Sequence, residues 1–286
     1  MRSPCKPAVF LLTSVTLFCT GCGQRNSGFS TEPSAPEAPP DASTPAELTG
    51  IIHEALCRTE PFFTLTLPDA AAHWNLAECT EQASRSSVLA AERLYSVRWK
   101  YTDNHLTVQP YYGTDLTVLR KEKADLSRYA AAFALFASDY FPAEQILLAH
   151  DRILRECSYT EGASGSAADA LLLHKAECGG YAAAFALLAE AVSLPCITVS
   201  GTAGGVPHAW NLVELDGAWY HIDCAWDDTD PAEKYRFFLR TDSEMSKTHT
   251  WNRAAYPAAE GTAYSYPLIV SGMMRRTQDF REAAQK

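Results

Sequence analysis

The chain has 286 residues and a formal net charge of −10, with 47% hydrophobic and 20% charged residues. This composition is that of a globular protein, and it excludes a collagen, a simple coiled coil and a wholly disordered chain. The acidic excess disfavours contact with the phosphate backbone of nucleic acids, so we expect no nucleic-acid partner. Nine cysteines are the unusual feature of the composition.

The N-terminal segment has the layout of a secretory signal peptide. Arg2 and Lys6 precede an apolar stretch at 8–18, which is too short to span a bilayer as a permanent helix. Small residues then lead to Cys22 as in a bacterial lipobox, although Cys19 stands where leucine is usual. We predict a lipoprotein signal peptide with lipidation of Cys22. Ordinary signal-peptidase cleavage and an uncleaved anchor are the alternatives.

The next segment, up to residue 46, is rich in Pro, Ser, Thr, Ala and Glu, and Phe29 is its only large apolar side chain. Such a segment cannot bury enough apolar surface to fold, which predicts a disordered tether. A lipid on Cys22, a tether and a folded region together predict an extracytoplasmic protein anchored to the cell membrane by lipid. An acidic protein near an anionic membrane surface gains from such an anchor.

Hydrophobic periodicity predicts mixed helices and strands in the rest of the chain. Helices are expected at 45–57, 70–91 with an interruption at 84–87, 116–138 and 142–157. Strands are expected at 61–67, 94–101 and 105–112, the last two forming a hairpin. The region before about residue 140 carries no chemical motif, and its apolar positions are interpreted as core.

Cys178 opens the apolar helical run 182–194. The first turn of a helix has unpaired N–H groups and a positive dipole end, both of which favour a thiolate. Gly179 and Gly180 keep side chains away from the sulfur, so Gly179 is expected to line a substrate cleft. Taken alone, a cysteine is more often a small buried residue or half of a disulfide.

A hairpin with the turn Asp216-Gly217 is predicted from strands at 208–215 and 218–226. Its register places His208 and Asp223 on one face as diagonal neighbours, roughly 7–8 Å apart at the backbone. A carboxylate in that position can orient an imidazole beside a nucleophile.

Each of these residues also has a structural interpretation. His208 alone is compatible with a hydrogen-bonded structural histidine, and Asp223 with a strand-end carboxylate bonded to the backbone. Trp210 shares their face and is expected to form a wall of the substrate cleft. His221 and Glu214 lie on the same face, but a zinc site there lacks the usual closely spaced ligand pair.

Two stretches, ECGGYAAAF (177–185) and HAWNLVELDGAWYHIDCAWDD (208–228), resemble the transglutaminase-like superfamily of papain-type cysteine enzymes in its bacterial extracytoplasmic branch. Weaker similarity at 149–162 and 236–249 extends the resemblance to about 145–267. The resemblance implies an α+β fold with a papain/transglutaminase-like core. In that core a cysteine-bearing helix packs on an antiparallel sheet, and here an N-terminal α/β extension precedes it.

The resemblance further implies that Cys178 is the nucleophile, that His208 is general base and then acid, and that Asp223 orients the imidazole. The thiolate would attack an amide carbonyl, and water or an amine would resolve the resulting thioester. The backbone N–H of Cys178 and a second donor would hold the oxyanion. We expect a protein or peptide substrate, such as a cell-wall or surface protein, and neither a cofactor nor a metal ion.

The predicted organisation has five parts. They are a signal peptide at 1–21, a tether at 22–46, an α/β region at 47–140, a transglutaminase-like catalytic domain at 141–270 and a polar C-terminal tail at 271–286. The expected function is a peptidase or amidase rather than a cross-linking enzyme. The alternatives are a protein-glutamine acyltransferase, a non-catalytic surface binding module and a structural domain in which Cys178 is bridged by a disulfide.

Overall fold

The computed structural model describes residues 41–283 of the protein. The predicted signal peptide, the lipidation site at Cys22 and most of the predicted tether lie outside the described residues. Within them, no helix has the length and apolar character needed to cross a membrane. The fold begins earlier than the tether was predicted to end, because Ala42 is 1% exposed and Thr44 caps the first helix.

The helices agree with the predicted pattern over most of the described chain. They are α1 (Pro45–Cys57), α2 (Leu76–Arg85), α3 (Val88–Ala91), α4 (Leu116–Ala137), α5 (Pro142–Glu156), α6 (Ala167–Leu171), α7 (Cys178–Ala191), α8 (Cys224–Asp227), α9 (Asp242–Met245) and α10 (Tyr266–Ala283). The expected interruption near 84–87 is present, since Ser87 starts α3 by accepting the N–H of Ala90. Helix α10 starts before the predicted tail, and its Ile269 is buried in the main core.

Three sheets contain the strands of the described residues. The strands are β1 (Phe63–Thr66), β2 (Leu94–Thr102), β3 (His105–Tyr112), β4 (Ser158–Tyr159), β5 (Lys175–Ala176), β6 (Cys196–Ala203), β7 (Val206–Leu215), β8 (Ala218–Ile222), β9 (Phe238–Arg240) and β10 (His249–Trp251). An antiparallel sheet has the order β1-β3-β2, a larger antiparallel sheet has the order β10-β6-β7-β8-β9, and β4 pairs in parallel with β5.

The β7–β8 hairpin has the register predicted from its turn, with Asn211 opposite Ile222. The turn residues Asp216-Gly217 both have positive φ, as a two-residue hairpin turn of this type requires. Strand β8 ends at Ile222, however, and not at Trp226 as predicted. The reason is local: Asp223 caps α8, because its Oδ1 accepts the N–H of Trp226 at 3.1 Å.

Helix α7 is the centre of the α+β core. Its Tyr181, Phe185 and Leu188 are at most 1% exposed, and the helix packs against β6 and β7. Asn211 on β7 donates from Nδ2 to the carbonyl oxygen of Ala182 at 3.1 Å. This bond joins the cysteine-bearing helix to β7, the first strand of the hairpin. A separate hydrophobic cluster, formed within 42–108, supports the N-terminal sheet.

Candidate active site

Cys178 is the first residue of α7 and is partly exposed. The hydrogen bond between its thiol and His208 holds the pKa of Cys178 below its ordinary value, against the opposing effect of burial. The backbone N–H groups of Ala209 and Gly179 also stabilise the charged sulfur. The start of the helix therefore presents a thiol that is disposed to ionise, as its position predicts.

His208 and Asp223 are in direct contact across the end of the hairpin. Nε2 of His208 lies 2.7 Å from Oδ2 of Asp223, and the two side chains are 5% and 1% exposed. A carboxylate only accepts, so Nε2 carries a proton, which leaves Nδ1 as the ring nitrogen for the hydrogen bond with Cys178. Burial alone would lower the pKa of His208, but its bonds to Asp223 and Cys178 raise it to about 9.

Asp223 accepts three hydrogen bonds at the centre of the site. Besides His208, its Oδ2 accepts Nε2 of His249 at 3.0 Å, and its Oδ1 caps α8. Burial by itself would raise the pKa of this carboxyl, but the hydrogen bonds from His208 and His249 hold it below its ordinary value. A fully buried carboxylate with three donors stays ionised and fixed in one orientation.

His249, on β10, was missed by the sequence analysis. It is 2% exposed, and its Nδ1 lies 2.8 Å from Oγ1 of Thr248. Because Nε2 donates to Asp223, Nδ1 is the ring nitrogen that accepts a hydrogen bond from the Thr248 hydroxyl. The available signal was the similarity at 236–249, which ends at this histidine. That similarity did not reveal that the strand beginning at His249 pairs with β6.

Trp210 lies behind the imidazole and does not line an open cleft, in contrast to the prediction. It is 1% exposed and stacks on His208, with ring centroids 6.0 Å apart at 21°. Its Nε1 donates to Nδ1 of His221 at 2.9 Å, and Nε2 of His221 donates to Asp242 at 2.8 Å. The same-face alternation was right, but side chains of the edge strand β10 pack against the indole, with ring centroids 5.0 Å away for His249 and 5.8 Å away for Trp251.

Glycines allow the close packing at the start of α7. A Cβ on Gly180 would lie 2.6 Å from the Cβ of Ala176 and 3.0 Å from the carbonyl oxygen of Ser166. A Cβ on Gly179 would lie 3.2 Å from the Cα of Gly165. Gly179 and Gly180 therefore allow the start of α7 to pack against residues 164–166. They also place no side chain beside the sulfur of Cys178.

One group of described residues could hold a metal ion: ligand atoms of His208, Asp223 and His249 lie within 4.8 Å of one another. Both Nε2 atoms donate to the same carboxylate oxygen, so binding a cation would require both rings to give up these bonds. The donor set fits a hydrogen-bonded relay better than a metal centre. Both ring nitrogens of His221 are already engaged by Trp210 and Asp242, so the zinc set considered from the sequence is not assembled.

The six cysteines of the described residues are free thiols, and Cys178 is among them. Burial raises the pKa of Cys157, Cys196 and Cys224. The structure therefore does not contain the disulfide-bridged Cys178 of the structural-domain alternative.

A further buried imidazole–carboxylate contact lies in the core, away from Cys178. Nε2 of His150 is 3.1 Å from Oδ2 of Asp227, and Nδ1 is 3.3 Å from Oδ1 of Asp151. Burial alone would lower the pKa of His150, but these two carboxylates raise it. Asp227 also accepts the backbone N–H of Phe237 at 2.8 Å, so this buried contact holds core elements together outside the candidate site.

Comparison with known proteins finds a family whose model matches the segment that contains these residues. The model of the transglutaminase-like superfamily matches residues 137–224, which include Cys178, His208 and Asp223. Two relatives named kyphoscoliosis peptidase, from Mus musculus and Homo sapiens, are each 33% identical over 70 residues. That match covers 20% of this chain and only 11% of each peptidase.

The solved structures that match are more distant in sequence. A protein from Cytophaga hutchinsonii described as a candidate cysteine protease is 12% identical, with a TM-score of 0.32 over 46% of this chain and 61% of its own. A structure described as a TGase is 14% identical, with a TM-score of 0.31 over 71% and 60%. Both scores are low, so the likeness to the family rests on the sequence match. Residues 137–224 of this chain, with the candidate site in them, match the transglutaminase-like superfamily.

Proposed function

We propose that the protein is a cell-envelope-anchored cysteine enzyme that cleaves amide or peptide bonds through a thioester, with hydrolysis preferred over cross-linking. The observation that carries this proposal is the contact series from the Cys178 thiol through His208 to Asp223. The thiol pKa is lowered and the imidazole pKa is raised, so the site is set up as a thiolate–imidazolium pair.

In the first half-reaction, the Cys178 thiolate attacks the amide carbonyl carbon and forms the carbon–sulfur bond. The N–H of Cys178, at the first position of α7, has no acceptor within the helix, and we assign it as a donor to the developing oxyanion. Collapse of the intermediate breaks the carbon–nitrogen bond, and the imidazolium of His208 gives its Nδ1 proton to the leaving amine.

In the second half-reaction, neutral His208 takes a proton from water, and the hydroxide attacks the thioester carbonyl. The carbon–sulfur bond breaks, the acid product leaves, and the proton returns to the ion pair. Asp223 stays ionised throughout and keeps Nε2 protonated, so that Nδ1 remains the atom that exchanges protons. An amine in place of water would give transamidation.

The preference for hydrolysis draws support from the name of the two peptidases that match over 70 residues. A protein-glutamine acyltransferase uses the same thioester and remains the second candidate. The test is incubation of the full chain with a peptide library and a denatured protein in H₂¹⁸O, with and without a primary-amine donor, beside Cys178→Ala.

Mass spectrometry distinguishes the outcomes of this test. New peptide ends carrying ¹⁸O that are absent with Cys178→Ala support the peptidase, and amine adducts on glutamine support the acyltransferase. Products that form equally with Cys178→Ala contradict the proposal, and so does the absence of any product from either substrate set.

The envelope location is proposed from the sequence, since Cys22 follows an apolar stretch and precedes a Pro-rich segment. The test is metabolic labelling of the protein with a fatty acid in a bacterial host, beside Cys22→Ala. Label on the unsubstituted chain and none on the variant is expected, and label on neither contradicts the lipid anchor.

A further inference from the structure

A second thiol–imidazole pair lies in the N-terminal extension, outside the site described above. His53 and Cys57 are one turn apart on α1, and both are partly exposed. Sγ of Cys57 lies 3.6 Å from Nε2 of His53. Residues spaced by four in a helix face each other, so the helix itself holds this pair together.

The neighbouring serine fixes the tautomer of His53. Oγ of Ser86 donates its only proton to the carbonyl oxygen of Ala83 at 2.8 Å. Toward His53, Ser86 therefore acts as a hydrogen-bond acceptor. The 2.6 Å contact between Ser86 Oγ and His53 Nδ1 then places the imidazole proton on Nδ1. Nε2 is then the unprotonated ring nitrogen, and the sulfur lies beside the ring, 3.6 Å from Nε2 and 4.0 Å from Nδ1, so Nε2 is the base nearest to the thiol.

Other groups stabilise a thiolate at Cys57. Ser87 accepts the N–H of Ala90 at 3.2 Å, so its own hydroxyl proton is available to the sulfur 3.8 Å away. Burial alone would raise the pKa of Cys57, but the bond to His53, the Ser87 hydroxyl and the nearby Lys123 ammonium lower it. The bond to Cys57 raises the pKa of His53.

We propose that Cys57 is a second activated thiol and a modification site, at which His53 takes the thiol proton and the sulfur attacks small electrophiles, including hydroperoxides. With hydrogen peroxide, the thiolate forms a sulfur–oxygen bond as the oxygen–oxygen bond breaks. Sulfur is oxidised by two electrons to a sulfenic acid. The leaving hydroxide takes the proton from the His53 imidazolium and becomes water, so atoms and charge balance.

Three further titratable groups face this pair from other elements, and they shape its pH response. Burial lowers the pKa of Lys123 on α4 to about 8, raises that of Glu190 on α7 to about 7 and raises that of Tyr112 on β3 to about 12. The Lys123 charge favours the thiolate, whereas ionised Glu190 favours the imidazolium. Both are charged near pH 7.5, which is where the rates are compared.

The test measures iodoacetamide alkylation of Cys57 in the full chain carrying Cys178→Ser, with each cysteine resolved by peptide mass. The expected result is that His53→Gln slows the reaction at pH 7.5 by about tenfold or more, the scale of one pKa unit in thiolate fraction. Above about pH 10, where any thiol ionises, the two rates should converge. Glu54→Gln, an exposed change on the same helix, is the control and should have no effect.

Two measurements make the proposal independent of variant folding. In the unsubstituted chain, Cys57 should ionise at lower pH than the same cysteine in the urea-unfolded chain. After brief exposure to hydrogen peroxide, a dimedone adduct should map to Cys57. Alkylation that is unaffected by His53→Gln in a folded protein, an unchanged ionisation pH, or no dimedone adduct at Cys57 would each overturn the proposal. None of these outcomes bears on Cys178, since each is measured on the peptide that contains Cys57.

Discussion

Asp223→Asn removes the charge of the carboxylate that accepts three hydrogen bonds in the candidate site, with almost no change in the shape of the side chain. The amide oxygen can keep the cap on α8, as Oδ1 does now with the N–H of Trp226. The amide nitrogen then replaces Oδ2, where it meets the two Nε2 donors of His208 and His249. Two donors cannot form a hydrogen bond, so a neutral His208 must carry its proton on Nδ1 instead of Nε2. Protonated Nδ1 can no longer accept the proton of the Cys178 thiol.

The expected loss of Cys178 thiolate follows from the pKa shift of the His208 imidazole. The rise of the His208 pKa from 6.5 to about 9 is worth roughly 3 kcal/mol in favour of the imidazolium. Asp223 and the Cys178 thiolate share that stabilisation, so loss of the carboxylate removes part of it. We expect the Cys178 thiolate population at pH 6.5 to fall about 10- to 100-fold, and by no more than about 300-fold.

The assay is the rate of iodoacetamide alkylation of Cys178, resolved by peptide mass and followed from pH 5 to pH 10. Asp227→Asn is the matched control, because it weakens the buried pair with His150. It should lower the free energy of unfolding by about 1–3 kcal/mol without slowing Cys178. If a folded Asp223→Asn chain alkylates Cys178 at pH 6.5 as fast as the unsubstituted chain, the role given to Asp223 is refuted.

Three further predictions concern the same site. Amide cleavage should decline as pH rises through about 9, because His208 loses the proton that the leaving amine needs, whereas acylation by a nitrophenyl ester should not; pH–rate profiles for both substrates check this. His249→Leu should lower kcat about tenfold or more with little change in KM, since Asp223 loses one charged hydrogen bond, and steady-state kinetics with an unaffected kcat would contradict it. Gly180→Ala should destabilise the fold by about 1–3 kcal/mol through its clash with Ala176, while Gly50→Ala, with open space around it, should not; urea unfolding compares them.

The parts of the site that follow from local chemistry could be predicted from the sequence. The turn Asp216-Gly217 determines the β7–β8 register, and the register brings His208 and Asp223 to one face. The position of Cys178 at a helix start follows from the apolar run after it. Each of these inferences uses residues at most a few turns apart, where periodicity and turn type carry the information.

The parts that depend on packing between distant elements could not be predicted in the same way. His249 reaches Asp223 only because β10 adds to the far edge of the five-stranded sheet, beside β6. That strand also brings the rings of His249 and Trp251 against Trp210, which the hairpin alternation alone left at an open surface. The Cys57–His53 pair depends in turn on Ser86, which α2 brings beside α1.

The central claim is that Cys178 forms an acyl thioester, and nitrophenyl acetate tests it without knowledge of the natural substrate. In a chain carrying Cys57→Ser, we predict a burst of about one equivalent of nitrophenolate per protein, followed by slow turnover. Acid quenching during the burst should give an acetyl group that maps to Cys178, and neither burst nor adduct should occur with Cys178→Ala. A burst that persists in Cys178→Ala, or an acetyl group that maps to another residue, would contradict the claim.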